Sequence, residues 1–352
     1  MDAPFLLACR GLPAARKPIW LMRQAGRYME IYRDLRKKHT MLELIHAPEL
    51  AAEVTMQPME AFDLDAAIIF SDILPPLQAM GLPLDFRVGE GPRIDRPIRS
   101  HADIEALAEP DAEEIVPATV EAIRLVRQVL PRDRALIGFA GAPFTLASYA
   151  IEGQSTRRFL KVKGLLQENP KQWHELMGKF SRVVSGYLIA QIRAGADAVQ
   201  LFDSWVGELS PGDFRDHVLP HIQRIIRSVK EAAPHTPVIY FGTNTSGLLG
   251  ILPETGADVI GVDWRIELDE AWRRVGEHVT LQGNLDPHTL LAGPQAWQAA
   301  TRRILDLTQD RPNHIFNLGH GIMKETDPGA VRDLVDFVHE HGTHVETPNG
   351  TA

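Results

Sequence analysis

Eight short apolar runs recur along the 352-residue chain, and they restrict its fold more than any other feature. Each run is four or five residues long and ends in polar residues or glycine. Apolar residues follow one another without alternation, which is typical of strands covered on both faces, as in a parallel sheet. The runs are Pro18–Met22, Ala66–Phe70, Ala135–Phe139, Ala198–Phe202, Pro237–Phe241, Val259–Val262, His278–Gln282 and His314–Leu318.

Segments with a helical repeat of apolar residues lie between the runs. The clearest are Pro48–Ala61, Pro170–Arg193, Asp213–Ala232 and Gln295–Thr308. Strands that alternate with helices indicate βαβ units and a mostly parallel sheet, and eight strands favour closure into a barrel over a doubly wound sheet. We therefore predict a fold of the α/β class, a single (β/α)8 TIM barrel.

The connection between the second and third runs, from Ser71 to Arg134, is longer than the others. We predict a long decorated loop here, after the second strand, with an excursion on the substrate side and one or two helices. Chain length alone suggests two domains, but the regular alternation predicts one barrel domain over residues 1–352. The polar tail, residues 343–352, is expected to be frayed.

Charge and cysteine content argue against several classes of function. Lys and Arg number 37 and Asp and Glu number 46, so the net charge is −9 and nucleic-acid binding is not expected. Cys9 is the only cysteine, which leaves no disulfide within the chain and no multi-cysteine metal site. The N-terminus lacks a signal-peptide pattern, and the longest uncharged stretch, Ala135–Ile151, is shorter than the roughly 20 residues of a spanning helix. We expect a cytoplasmic protein with no membrane contact.

Functional residues of such a barrel follow its strands. Arg23 and Arg27 flank an Ala-Gly turn after the first run, where two guanidinium groups would bind an anion with several acidic groups. Asp72 follows the second run and could act as a general base, a metal ligand or a stabiliser of positive charge. The alternatives are surface ion pairs of the arginines with Glu30 or Asp34, and an N-cap role for Asp72.

Three further candidates follow later runs. His320 stands between Gly319 and Gly321, which would let a ligand approach closely, and it could hydrogen-bond to substrate or relay a proton. The alternatives are a loop histidine without a role and a phosphate site after the last two strands. Tyr149 either packs in the core or hydrogen-bonds in the pocket, and Ser204 either donates a hydrogen bond or caps a turn.

Other polar residues receive structural interpretations. Asp203 and Asp263 directly follow two of the runs and are expected to anchor neighbouring loops. The 14 histidines form no HExxH pattern, and no P-loop is present. His217 and His221, with Pro220 between them, are expected to face solvent. We therefore predict no metal ligands.

Five separated motifs are arranged along the chain from about Pro18 to about His339. They are Met22-Arg-Gln-Ala-Gly-Arg-Tyr28, Ile69-Phe-Ser-Asp-Ile-Leu74, Gly138-Phe-Ala-Gly-Ala-Pro-Phe144, Gln282-Gly-Asn-Leu-Asp286 and Asn317-Leu-Gly-His-Gly321. Together, and in this order, they resemble the uroporphyrinogen decarboxylase family. The resemblance implies a barrel that forms a homodimer and acts as a carboxy-lyase in haem and porphyrin biosynthesis. It also implies conversion of uroporphyrinogen III to coproporphyrinogen III, with loss of four carboxyl groups as CO₂ and no metal or organic cofactor.

The resemblance also implies roles for individual residues. The family's central aspartate, held to stabilise the transition state, corresponds to Asp72, and Arg23 and Arg27 complete the implied catalytic set. The implied substrate contacts are Arg23, Gln24, Ala25, Gly26, Arg27, Asp72, Tyr149, Ser204 and His320.

The implied reaction suits these residue types. Loss of CO₂ from an acetate arm needs an electron sink, which is normally a cofactor. A pyrrole ring protonated at carbon can serve instead, and an ionised Asp72 would stabilise the resulting cation in a water-poor cleft. We expect Phe139, Phe144 and Ile69 to cover the faces of the ring.

Three other functions stay open at this point. Related methyltransferases share the barrel and hold zinc through His and Cys, which a lone Cys9 ahead of the first run does not support. A phosphate-binding barrel enzyme is a second alternative. The third is a binding protein without activity, against which the set Arg23, Arg27, Asp72 and His320 argues.

Overall fold

A parallel sheet surrounded by helices organises the protein, for which a computed structural model describes residues 3–87, 91–156 and 158–342. The tail expected to be frayed, residues 343–352, lies outside this part of the chain. The strands are β1 (Ala66–Ile68), β2 (Leu84–Arg87), β3 (Gly91–Ile94), β4 (Ala135–Gly141), β5 (Ala198–Asp203), β6 (Val238–Gly242), β7 (Val259–Gly261), β8 (Thr280–Gln282) and β9 (His314–Ile315). β1 and β4 to β9 pair in parallel in chain order, and each overlaps a predicted run. The prediction of a parallel α/β fold is confirmed.

The first apolar run, Pro18–Met22, is not a regular strand, although it fills the position between β9 and β1. Ile19 forms an isolated parallel bridge with Phe316, and the Phe316 N–H donates to the Pro18 carbonyl at 2.9 Å. On the other side, the Asp65 N–H donates to the Ile19 carbonyl at 2.9 Å. The sheet therefore closes into a barrel with seven regular strands and one irregular segment.

Side chains explain why this segment is irregular. The N–H groups of Ile19, Leu21 and Met22 donate to side-chain oxygens, those of Asp65, Gln24 and Asn317, at 2.9, 3.1 and 3.0 Å. Pro18 has no N–H to donate. Most backbone N–H groups of this segment are thus absent or bound to side chains, and they cannot pair with the neighbouring strands.

Helices cover the outside of the barrel. They are α1 (Pro4–Cys9), α2 (Glu30–Lys38), α3 (Met41–His46), α4 (Pro48–Ala61), α5 (Pro75–Ala79), α6 (His101–Glu105), α7 (Pro117–Val129), α8 (Pro143–Glu152), α9 (Leu160–Glu168), α10 (Pro170–Ala194), α11 (Pro211–His217), α12 (Leu219–Ala232), α13 (Leu268–Val275), α14 (Pro294–Thr308) and α15 (Pro328–His341). Three short 3-10 helices span Val206–Glu208, Leu252–Thr255 and Pro287–Leu291. No helix in the described ranges combines the length and apolar character needed to cross a membrane.

The helix predicted over Asp213–Ala232 is wrong as one element, because the structure has two, α11 and α12. The chain leaves helical geometry at Val218, where φ is −122° and ψ is −51°. Pro220 has no N–H, and in a continuous helix its ring would clash with the carbonyl of residue 216. The proline therefore serves at the start of α12, where no N–H partner is needed.

The expectation that His217 and His221 face solvent is also wrong for His221, which is 5% exposed. Its Nε2 lies 2.9 Å from Nδ1 of His174 on α10, in one hydrogen bond. Burial lowers the pKa of His221 to about 4, so its imidazole is neutral at physiological pH.

The connection from Ser71 to Arg134 contains three helices, α5, α6 and α7, where one or two were expected, and the antiparallel pair of β2 and β3. The sequence analysis did not predict this antiparallel pair. β3 reaches across to the segment after α8, where the Ile94 N–H donates to the Gly153 carbonyl at 2.8 Å. This excursion is therefore joined to the loops at the carboxyl ends of the strands.

Candidate active site

The carboxyl ends of the barrel strands bring four of the predicted site residues together. Arg23 follows the irregular segment, Asp72 follows β1, Tyr149 lies on α8, and His320 follows β9. The charge of Arg23 acts on the pKa of the other three, and the charge of Asp72 acts on that of Tyr149. These couplings put one cation, one acid and two hydrogen-bonding rings near one another at the carboxyl ends of the strands.

Arg23 is exposed and has a left-handed backbone, with φ at +63°. Its side chain lies over Gly321, where a Cβ would clash with the Arg23 Cδ and Cγ. A Cβ on Gly319 would clash with the backbone of Trp264. We expected the two glycines to leave space for a ligand, but the protein itself fills that space. The missing Cβ of Gly321 lets the Arg23 side chain lie close to His320.

Gln24 faces inward and holds the loop rather than the opening. Its side chain is fully buried, and its Nε2 donates to the carbonyl of Ala66 at 3.1 Å while its Oε1 accepts from Leu21. The Tyr28 hydroxyl donates to the Gln24 carbonyl at 2.7 Å. The side chain of Gln24 is thus unavailable to a substrate, and its contribution is to position Arg23.

Arg27 lies further out on the same loop. Its side chain is exposed, its positive charge acts on Tyr32 of α2, and its carbonyl accepts from Arg33 at 3.0 Å. No hydrogen bond of the Arg23 or Arg27 guanidinium to another described residue is present. Ala25 and Gly26 are half-buried between the two arginines.

Asp72 is partly buried at the mouth of β1. Its Oδ1 accepts the N–H of Leu74 at 3.0 Å, which closes a local turn; the alternative of an N-cap role is not met, because the N-cap residue of α5 is Leu74 and no side chain caps that helix. Burial raises the pKa of Asp72, while the hydrogen bond from Leu74 and the charge of Arg23 act in the opposite direction. A carboxylate with little water around it, beside a guanidinium, can stabilise a cation in the cleft.

Tyr149 and His320 lie in aromatic surroundings. The Tyr149 ring centroid is 6.1 Å from that of Trp205, and burial raises the pKa of Tyr149 to about 12, so its hydroxyl keeps its proton. The His320 ring packs edge-on against Trp264 at 6.0 Å. Burial and the charge of Arg23 lower the pKa of His320, which favours the neutral imidazole.

Ser204 is half-buried beside Trp205, and its carbonyl accepts the Thr243 hydroxyl at 2.6 Å. Asp203, just before it, accepts the Tyr240 hydroxyl at 2.7 Å and the Thr145 hydroxyl at 2.7 Å. Asp203 therefore ties β5 to β6 and to α8, as the sequence analysis expected of an anchoring residue.

The apolar lining differs from the expectation. Phe144 is fully buried against Trp173 of α10, 6.0 Å between ring centroids, on the outside of the barrel. Phe139 instead packs edge-on against Phe202 at 5.4 Å. Because α8 starts at Pro143, the side chain of Phe144 follows the helix and not the strand.

Sequence reasoning missed Trp205 and Arg265, and it assigned no role to Trp264. All three lie within a few residues of a strand end, so the position that drew attention to Ser204 and Asp263 could have found them.

Potential metal ligands are dispersed. Within the described ranges no three His, Cys, Asp or Glu residues are grouped so that they could hold a metal ion. Cys9 is buried, and burial raises its pKa. The charges of Asp258 and Lys230 act on Cys9, which places it near the amino end of β7, opposite the site.

Comparison with known proteins identifies the family. The family model described as uroporphyrinogen decarboxylase matches residues 2–341. A protein named uroporphyrinogen decarboxylase from Roseiflexus sp. is 56% identical over 340 residues, covering 96% of this chain and 98% of that protein. One with the same name from Chloroflexus aurantiacus is 52% identical over 348 residues, covering 98% and 97%.

Solved structures agree on the fold. A methyltransferase from Methanosarcina mazei superimposes with a TM-score of 0.80 at 22% identity, covering 96% of this chain and 97% of that one. A B12-independent methionine synthase from Shewanella gives 0.58 at 11% identity, covering 94% of each chain. At these identities the likeness concerns the fold alone, whereas the family match and the closer relatives show that the chain belongs to the uroporphyrinogen decarboxylase family.

Proposed function

We propose that the chain removes the four acetate carboxyl groups of uroporphyrinogen III as CO₂, giving coproporphyrinogen III in haem and porphyrin biosynthesis. Family membership over residues 2–341 supports this proposal. The observation that carries the mechanism is the pair Arg23 and Asp72 at the mouth of the barrel, where the charge of the exposed guanidinium favours the ionised form of the partly buried carboxylate.

Each decarboxylation needs a place for the electrons of the breaking carbon–carbon bond. A proton adds to a ring carbon next to the acetate arm, and the pyrrole becomes a cation. The arm then releases CO₂, and the bonding electrons flow into the ring and neutralise it. Protonation of the remaining methylene carbon and loss of the ring proton leave a methyl group, so one proton replaces one CO₂ overall.

Asp72 stabilises the cationic ring in this scheme. Its ionised carboxylate faces the pyrrole N–H groups, and its charge counts for more in a cleft with little water than in bulk solvent. Arg23 and Arg27 pair with carboxylate arms and hold the ring in place. Tyr149, Ser204 and His320 contribute hydrogen bonds, for which the protonated Tyr149 hydroxyl and the neutral imidazole of His320 are suited.

Anaerobic incubation of the purified protein with uroporphyrinogen III, followed by separation of the products by carboxylate number, tests the proposal. We expect intermediates with seven, six and five carboxylates and then coproporphyrinogen III. Unchanged substrate would contradict the proposal. Stoichiometric zinc in the purified protein would favour the methyltransferase alternative instead.

The assembly and location belong to the same proposal. We infer a cytoplasmic homodimer, because the family resemblance implies one. Light scattering after size exclusion should give about twice the chain mass of 39.2 kDa, and a monomer mass would contradict it.

A further inference from the structure

Arg265 is a third exposed guanidinium at the rim of the site, after Arg23 and Arg27, and no role has been assigned to it so far. It lies just beyond β7, at the carboxyl end of the strand. Its Cζ lies 3.9 Å from the centroid of the Trp264 ring, and its Nη1 donates to Asp263 Oδ2 at 2.7 Å. These two contacts fix the guanidinium while 43% of the side chain stays exposed.

The remaining donors of this guanidinium are free for a ligand. Nε and Nη2 of Arg265 have no hydrogen-bond partner in the described part of the chain. These two N–H groups form the side edge of the planar fork, whose geometry matches the two oxygens of a carboxylate.

Asp263 does not depend on the guanidinium for its hydrogen bonds. Its Oδ1 accepts the backbone N–H of Arg265 at 3.0 Å, and its Oδ2 accepts that of Asn244. The Asp263 carboxylate would therefore keep two hydrogen bonds if the Arg265 guanidinium were removed. Holding the loop in place thus does not require an arginine at position 265.

Arg265 also belongs to the same group of neighbouring side chains as Arg23. Trp264, on which its guanidinium lies, packs edge-on against His320 at 6.0 Å. The charges of Arg23 and Arg265 both act on the His320 imidazole. Arg23, His320, Trp264 and Arg265 thus form a continuous row along the rim.

We propose that Arg265, held by Trp264 and Asp263, is a carboxylate-binding subsite that takes one acidic arm of the tetrapyrrole. This inference rests on the proposed function. Its chemical reason is that the substrate carries eight carboxylates, whereas the family resemblance assigns only Arg23 and Arg27 to them, in a chain whose net charge is −9.

Steady-state kinetics of Arg265→Gln with uroporphyrinogen III test the subsite. Arg215→Gln is the matched control, because Arg215 is 53% exposed and makes one ion pair, with Glu254, away from the rim. We expect KM to rise roughly tenfold in Arg265→Gln, since a charged hydrogen bond to the bound arm is lost. The value of kcat and the melting temperature should match those of Arg215→Gln, because the contact is equally present in the bound and the reacting state.

Arg265→Lys provides a second variant that keeps the charge and lacks the fork, so its KM should lie between those of wild type and Arg265→Gln. A KM of Arg265→Gln equal to that of the control would overturn the proposal, and so would a fall in kcat with KM unchanged.

A binding measurement separates this inference from the proposed function. If the wild-type protein fails to decarboxylate, the proposed function fails by itself. The Kd of uroporphyrin III, from quenching of tryptophan fluorescence, then decides the subsite. A Kd roughly tenfold weaker in Arg265→Gln supports it, and an equal Kd contradicts it.

Discussion

Arg23 has a backbone conformation that residues with a side chain rarely adopt. A left-handed φ of +63° costs on the order of 1 kcal/mol for a residue other than glycine. The buried side chain of Gln24, next in the chain, holds the loop in this shape, and Gly321 provides the room that the Arg23 side chain occupies. The position of the Arg23 guanidinium thus depends on the side-chain amide of Gln24 and on the absence of a Cβ at Gly321.

Gly321→Ala should displace Arg23 and weaken substrate binding. The added Cβ would clash with Arg23 Cδ, Cγ and Nε, and the flexible side chain must move away. We expect KM for uroporphyrinogen to rise about tenfold, with a melting temperature close to wild type. Gly164→Ala on α9 is the control, because a Cβ there meets no atom within 4 Å. An unchanged KM in Gly321→Ala would show that the position of Arg23 does not matter for binding.

Asp72→Asn should abolish most of the activity and leave the fold intact. The amide oxygen of Asn can still accept the Leu74 N–H, so the local turn persists. Without the negative charge, the cationic ring loses its stabilisation, and kcat should fall by about 10²–10³-fold. Product formation in a single-turnover assay and the circular-dichroism melting curve measure the two effects. Wild-type turnover by this variant would refute the charge role.

At the scale of elements, the carboxyl end of α14 depends on a buried lysine. Lys17 is 2% exposed, and its Nζ donates to the carbonyls of Thr308 and Arg311, both at 2.9 Å. These carbonyls belong to the last turn of the helix and the segment after it, which lack partners within the helix. Lys17 therefore joins the segment that leads into Arg23 to the outer layer of helices.

Burial lowers the pKa of Lys17 from 10.5 to about 7, which makes stability depend on pH. Between these two values the unfolded chain binds more protons than the folded one, so the free energy of unfolding rises with pH. The Lys17 contribution to this slope is at most about 1.4 kcal/mol per pH unit, and it vanishes below the folded pKa, where both states are protonated.

Lys17→Gln keeps N–H donors and removes the titration. The stability difference between wild type and variant should grow in favour of wild type as the pH rises from about 7 to about 9. Urea unfolding at several pH values measures it. A difference that stays constant over this range would mean that Lys17 is protonated in the folded state throughout.

At the scale of the whole molecule, side chains reinforce the backbone hydrogen bonds that close the barrel. Asp65 is fully buried at the seam between the irregular segment and β1. It accepts the Ile19 N–H at 2.9 Å, Arg16 Nη2 at 2.8 Å and His339 Nε2 of α15 at 2.8 Å. The Asp65 carboxylate, directly before β1, thus joins this strand to the irregular first segment and to α15.

Asp65→Asn should open this seam. Removing the charge leaves Arg16 and the His339 ring without their buried partner, and we expect the free energy of unfolding to fall by about 3 kcal/mol. Asp63→Asn is a matched control, because Asp63 bonds the same Arg16 at 2.7 Å but is 47% exposed. That variant should lose less than about 1 kcal/mol. Equal losses in the two variants, measured by urea unfolding, would contradict a special role of the seam.

The barrel and most of its candidate site could be predicted from the sequence, because both depend on local patterns. A strand buried on both faces is continuously apolar, and its residues show this wherever the partner strands lie. Asp72, Ser204 and His320 come shortly after such runs, and Tyr149 lies further along, so position made them candidates, while their roles came from the family resemblance. The break at Val218 was missed because the periodic pattern continues across Pro220.

The sequence alone determined the parallel α/β barrel, the order of its strands and the family to which the motifs point. Tertiary structure decided how the first run closes the barrel, that Gln24 faces inward, that Phe144 lies outside, and that Arg265 joins the rim. The physical reason is the separation along the chain of the residues that interact. Periodicity reflects which face of an element is buried, whereas hydrogen bonds such as that between Met22 and Asn317, 295 residues apart, exist only once the ring of strands has closed.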